Sequence, residues 1–113
     1  MVDNKYVPDR GDIVWLNFEP QAGHEQKGKR PAVTISPKIY NEKTGLGLFC
    51  PITSIEKGYT FEVKISSQID VHGVVLADQI KNQDWSARNA EFISILPAKL
   101  MREVIAKLAI LIE

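Results

Sequence analysis

The 113-residue chain has a single cysteine, only two histidines, no excess charge of either sign and no apolar stretch long enough to cross a bilayer. Each scarcity excludes something. Cys50 has no partner for an internal disulfide, and within the apolar run 46–52 it reads as a small core side chain rather than a nucleophile. His24, His72 and Cys50 stand apart without ligand spacing, so neither a metal centre nor any other cofactor is expected. Residues 1–10 hold no apolar core of a secretion signal, and the expectation is a reducing cytoplasm with no membrane association. Lysine plus arginine equals aspartate plus glutamate at 14 each, so net charge does not draw the chain to nucleic acid.

What remains is one domain spanning 1–113, with 44% hydrophobic residues to build its core. Short apolar runs at 13–18, 32–35, 46–52, 61–65, 74–80 and 92–96 alternate with turn signals, the spacing of an all-β barrel or sandwich. Within 60–65 the polar and apolar residues alternate, turning Phe61, Val63 and Ile65 to the core and Glu62 and Lys64 away from it. After Pro97 the period changes to that of a helix: Leu100, Met101, Val104, Ile105, Leu108 and Leu111 form an apolar stripe on a C-terminal amphipathic helix. That stripe serves core packing, a subunit interface, or both. Charge is uneven too. Residues 1–23 carry a net of minus two, and residues 24–64 a net of plus three, which makes the middle third the face for an anionic partner.

The centre of that cationic third is the segment 23–33, Gly-His-Glu-Gln-Lys-Gly-Lys-Arg-Pro-Ala-Val. Gly23 and Gly28 let the chain turn, while Pro31 biases Arg30 toward an extended conformation as a strand begins. Glu25 and Arg30 are therefore expected on display, on an exposed loop. A planar guanidinium suits bidentate contact with a phosphate, and Lys27 and Lys29 add less directional charge. A phosphodiester is the natural ligand, against the plainer reading of a solvated hairpin.

A resemblance covers almost the whole chain. Residues 6–15, Tyr-Val-Pro-Asp-Arg-Gly-Asp-Ile-Val-Trp, resemble the start of the MazF family of toxin endoribonucleases. The similarity continues through Glu25-Gln26, Arg30-Pro31-Ala32-Val33, Ser36-Pro37, Tyr40-Asn41, Lys43-Thr44-Gly45, Pro51-Ile52-Thr53, Lys57-Gly58-Tyr59, Leu76-Ala77-Asp78-Gln79 and Trp85-Ser86-Ala87-Arg88. The stretch 22–26 is closer to the related Kid/PemK toxins. The resemblance implies a mainly β protein with helices, an SH3-like small β-barrel of the CcdB/MazF/Kid type, assembled as a homodimer. It implies metal-independent cleavage of single-stranded RNA at a short motif, with 2′,3′-cyclic phosphate and 5′-hydroxyl ends, and inhibition by a MazE-like antitoxin whose acidic, disordered tail occupies the basic groove.

The same resemblance makes Arg30 and Thr53 the central catalytic residues. Cleavage needs a proton taken from the 2′-hydroxyl, a proton given to the departing 5′-oxygen, and donors for the charge that builds between. Arg30 suits the last task. Thr53 can donate to a phosphate oxygen or pass a proton, but is a poor unaided base. Glu25 is either the base or an ion pair that orients Arg30; neighbouring cations favour the second role. His24 has a suitable intrinsic pKa and ranks below Glu25. Lys27, Lys29, Ser54 and Asp78 are expected to contact RNA. Gln79 has the donor and acceptor to read a base edge, and Trp85 and Arg88 are placed to stack on or contact a single strand. The Kid branch counts an arginine two residues before the aspartate with its active site; Leu76 stands there instead. Two rivals come from other classes. CcdB-type gyrase poisons share the barrel but end in Trp-Gly-Ile, whereas this chain ends Ala109-Ile110-Leu111-Ile112-Glu113. The second is a non-catalytic barrel acting as a binding module.

Overall fold

In a computed structural model, which describes residues 6–18, 29–65 and 69–113, every one of the apolar runs contributes to a strand. The strands are β1 (Asp12–Asn17), β2 (Lys29–Thr34), β3 (Gly47–Thr53), β4 (Glu62–Lys64), β5 (Val74–Leu76), β6 (Lys81–Gln83) and β7 (Glu91–Ile95). Two helices accompany them, α1 (Lys38–Thr44) and α2 (Ala98–Ile112), and a 3-10 turn follows β5 at Ala77–Gln79. All strand pairs are antiparallel, in the order β4-β5-β3-β2-β1-β7, with β6 added beside β3. The protein is thus mainly β with helices, as expected.

Both faces of the sheet are covered, which explains why the runs are continuously apolar rather than alternating. On β3, Phe49 joins Val14, Leu16, Ala32 and Trp85 in one cluster, while its neighbour Cys50 joins Ile13, Val33, Ile52 and Val75 in the other. The second cluster is closed by α2 through Met101, Val104 and Leu108, which recur at helical spacing and are buried. Ile105 and Leu111, included in the expected stripe, are exposed at 36% and 46%: the apolar face of α2 is wider than the surface it packs on. In β4, Val63 and Ile65 face the core as expected, whereas Phe61 is only half-buried.

Two elements carry no apolar periodicity. β6 is Lys-Asn-Gln, a polar segment that takes the free edge of Gly47–Phe49. Helix α1 is seven residues long, bounded by extended Pro37 and left-handed Gly45. Its purpose is Asn41, which is fully buried. The Asn41 amide donates to the carbonyls of Pro8 (2.8 Å) and Ser36 (3.0 Å), and its oxygen accepts from the Ser36 hydroxyl at 2.6 Å. The Asn41 main-chain carbonyl accepts the Trp85 indole N–H at 3.1 Å. One residue thereby ties the N-terminal segment and the segment after β2 together through its side chain, and the segment after β6 through its main chain.

Asn41→Ala should remove both amide donors and leave buried carbonyls unsatisfied, at a cost of about 2–4 kcal/mol. Urea unfolding should show a lowered midpoint with an unchanged slope; a midpoint within error of the native protein would show that water replaces the amide without loss.

Candidate active site

The β2–β3 ladder pairs Ala32 with Pro51, Val33 with Cys50 and Thr34 with Phe49. Continuing that register by two residues sets Arg30 opposite Thr53. On the other edge of β3, Thr53 pairs with Val74 of β5, so the segment leading into β5 arrives beside it from the side away from β2. Between these elements lies a pocket of about 330 Å³ lined by Lys29, Arg30, Pro31, Ile52, Thr53, Ser54 and His72. Arg30 is on β2 itself, not on a loop as expected from sequence: its backbone pairs with Leu16 of β1 while its side chain is exposed. Lys29 stands beside it, 3.7 Å from Glu91 across an exposed pair that contributes little to stability.

Thr53 is held in a defined state. Its hydroxyl oxygen accepts the Ile55 N–H at 3.2 Å, closing a turn at the end of β3. Among the described residues, that hydroxyl donates to no protein acceptor. Behind it, Gly73 adopts φ +120, and a Cβ there would sit 2.2 Å from the Thr53 carbonyl oxygen. Only glycine lets the backbone ahead of β5 approach β3 so closely, and that approach is what brings His72 to the pocket.

A second pocket, of about 150 Å³, shares Thr53 and is lined by Ile55, Lys57, Tyr59, Glu62, Leu76 and Gln79. Its loop is fixed from below. The Glu62 carboxylate accepts from the backbone N–H of Lys57 and of Gly58 (2.9 Å to the latter), and the Lys107 ammonium on α2 donates to the Thr60 carbonyl at 2.6 Å. Gly58 takes the positive φ the turn requires.

The structure thus gathers Lys29, Arg30, Thr53 and Ser54 around one pocket and places Gln79 at the next. Asp78 is exposed on the same 3-10 turn as Gln79 but lines neither pocket. Two expected RNA contacts are corrected. Trp85 is 8% exposed, packed in the Phe49 cluster with its N–H committed to Asn41, so it has no free face for a base. Arg88 is half-buried and its guanidinium donates to the carbonyls of Asn17 and Phe18, which secures the end of β1. His24, Glu25 and Lys27 lie outside the described residues. Cys50 is a core group: burial, reinforced by the charge of Asp78, pushes its thiol up to about 12. His72, Lys57, Tyr59 and Glu62 were not singled out from sequence as site residues. The one local signal was a glycine, Gly73, standing between His72 and an apolar run.

The chain as a whole is similar to a known group of proteins. A family model described as PemK-like, MazF-like toxin of type II toxin-antitoxin system matches residues 9–112, and the chain belongs to that family. The chain is 46% identical over 109 residues to the endoribonuclease toxin MazF of Escherichia coli (strain K12), covering 96% of this chain and 97% of the relative. MazF from Deinococcus radiodurans superposes with a TM-score of 0.87 at 53% identity, covering 95% of this chain and 97% of that one. A chain of the MazE–MazF complex from the same organism gives 0.84 at 47% identity, with 95% and 96% covered. Among the described residues, no helix is long and apolar enough to cross a membrane.

Gly73→Ala and Gly11→Ala separate close approach from backbone strain. Gly11 also has positive φ, +96, but nothing lies within 4 Å of a Cβ there. Gly11→Ala should cost about 1 kcal/mol from strain alone, and Gly73→Ala more than about 2 kcal/mol because the Thr53 carbonyl must also move. Equal losses on denaturant unfolding would show that the contact with Thr53 carries no weight.

Proposed function

We propose that this chain is an endoribonuclease toxin of a type II toxin–antitoxin pair that cuts single-stranded RNA at a short motif. It does so through its own side chains, leaving a 2′,3′-cyclic phosphate and a 5′-hydroxyl. The observation that carries this reading is the pocket that Arg30 and Thr53 line together. The family and the endoribonuclease names of its relatives agree with it.

A phosphodiester seated there meets the planar fork of Arg30, the Lys29 ammonium and the free hydrogen of Thr53, all donors to the charge that grows on its non-bridging oxygens. Because Arg30 sits on a paired strand, its backbone needs no ordering when RNA binds. Cations and neutral hydroxyls predominate in this lining and suit an anion, not a divalent cation, which favours metal-independent chemistry. Glu25, four residues before β2 in the sequence, is the base that takes the 2′ proton or the carboxylate that aligns Arg30. The second pocket offers the ring of Tyr59, the side chain of Leu76 and the amide of Gln79, a surface for the face and edge of one base.

The partners follow from the same surfaces. A MazE-like antitoxin with an acidic segment would cover Lys29 and Arg30, and structures of MazE–MazF complexes exist for relatives. A second copy of the chain, giving a homodimer, would cover an apolar groove of about 870 Å³ where Ile95, Met101 and Ile105 meet Gly11. An RNA substrate and a free thiol in the core agree with a cytoplasmic location.

With EDTA present, the purified protein should cut a long single-stranded RNA, and a single 2′-deoxynucleotide at the cut position should abolish cutting there. Unimpaired cutting of the deoxy substrate, or loss in EDTA that magnesium restores, would sink the mechanism; no cutting of any RNA would favour the gyrase or binding-module readings.

Arg30→Ala should slow single-turnover cleavage ~100-fold or more while the fold survives, and Arg30→Lys should recover only part of that rate. Thr53→Ala should be slowed in the same assay. A folded Arg30→Ala protein cutting at the native rate would show a pocket that binds RNA without acting on it.

A further inference from the structure

Proton donation to the departing 5′-oxygen has no agent among the residues so far given roles in the pocket. Guanidinium does not release its proton in the neutral range, an ammonium does so poorly, and an aliphatic hydroxyl hardly at all. We propose that His72 is the general acid of this site. The inference rests on the Arg30–Thr53 pocket being the place of RNA cleavage.

Three observations converge on it. The imidazole lines the same pocket as Lys29, Arg30, Thr53 and Ser54. Its backbone position is set by a contact that admits no side chain, Gly73 against the Thr53 carbonyl. Sheet order then sets its side of Thr53. Arg30 reaches Thr53 from β2, on one edge of β3, and His72 arrives with the segment before β5, on the other. Cleavage by an internal nucleophile requires the attacking and leaving oxygens to lie roughly opposite each other across phosphorus. A proton donor belongs on the leaving side, and a residue placed across Thr53 from Arg30 can occupy it. Among the described residues, the polar groups that share the pocket with His72 are Lys29 and Arg30 of β2, Thr53 at the end of β3 and Ser54 just after it, while Asp70 lies two residues before His72 on its own segment.

In the step itself, the 2′-oxygen forms a bond to phosphorus as its proton passes to the general base, Glu25 or a water that Glu25 orients. The bond from phosphorus to the 5′-oxygen breaks, and its electron pair takes the proton from the His72 imidazolium. The products are the cyclic phosphate, the 5′-hydroxyl and a neutral imidazole, which regains a proton from solvent.

A leaving group that needs no proton tests this directly. His72→Gln and His72→Ala should slow single-turnover cleavage of an ordinary RNA oligonucleotide by ~100-fold, within the range for loss of a general acid. On the same oligonucleotide with sulfur in place of the bridging 5′-oxygen, both variants should return to near the native rate, because a thiolate departs unprotonated. Arg30→Ala should be slow on both substrates. Native-like rates for the His72 variants on ordinary RNA, or an equal slowing on both substrates, would overturn the assignment. Native-like rates for Arg30→Ala on both substrates would instead overturn the reading of the pocket itself. Matching denaturant midpoints for the variants and the native protein exclude loss of fold, since the imidazole is exposed.

Discussion

Everything about the site depends on β3 being paired along both edges. Val33 and Cys50 lock β2 onto one edge; Gly47–Phe49 hold β6, and Ile52–Thr53 hold β5, on the other. Because both faces of these strands are buried, a slip of one residue would exchange Phe49 and Cys50 between two differently shaped cores. Register is therefore specified by packing away from the exposed Arg30 side chain. That same register sets Arg30 opposite Thr53 and brings the approach to β5 up to the far side of Thr53. The apolar core acts as the ruler for a polar site.

Rigidity continues at the rim of the site through polar clamps. The Ile55 N–H fixes the Thr53 hydroxyl, the Glu62 carboxylate gathers two loop amides, and Lys107 secures the same loop from α2. Each involves a charged or short side chain satisfying backbone groups that a turn would otherwise leave to water. Lys29, Arg30 and His72 are exposed and Thr53 is half-buried, yet their backbones are held in ladders or against them. Such preorganisation lets donors aim at developing charge without being ordered at the moment of reaction.

How much of this was legible beforehand varies with the physical signal. The strands that form the main sheet were visible as apolar runs, since burial on both faces demands them. Helix α1 and β6 were not: seven residues are too few to show a period, and Lys-Asn-Gln earns its pairing only from the open edge of Gly47–Phe49. Of the site, Arg30 stood out within the cationic segment 23–33, whereas Thr53 came from family resemblance alone, since nothing local made it distinctive. Trp85 and Arg88 looked suited to single-stranded RNA because side-chain chemistry does not reveal direction; their hydrogen bonds to Asn41, Asn17 and Phe18 turn them inward. His72 was read as isolated for the converse reason. Eighteen residues separate it from Thr53 in the chain, and only the β3–β5 pairing closes that gap.

Leu76 shows how one departure from the related Kid pattern redistributes the work. Its side chain lines the second pocket with Ile55, Tyr59 and Gln79, where a guanidinium would have made a second phosphate site. Without that cation, two cations, Lys29 and Arg30, stand on the β2 side of Thr53, whereas Lys57 in the second pocket is offset by Glu62 in the same lining. The rest of that lining is Ile55, Tyr59 and Leu76, with Gln79 as its neutral hydrogen-bonding group. An apolar and aromatic wall beside one amide suits the face and edge of a base better than a phosphate. Thr53, common to both pockets, is the residue at which the cationic lining meets the apolar and aromatic one.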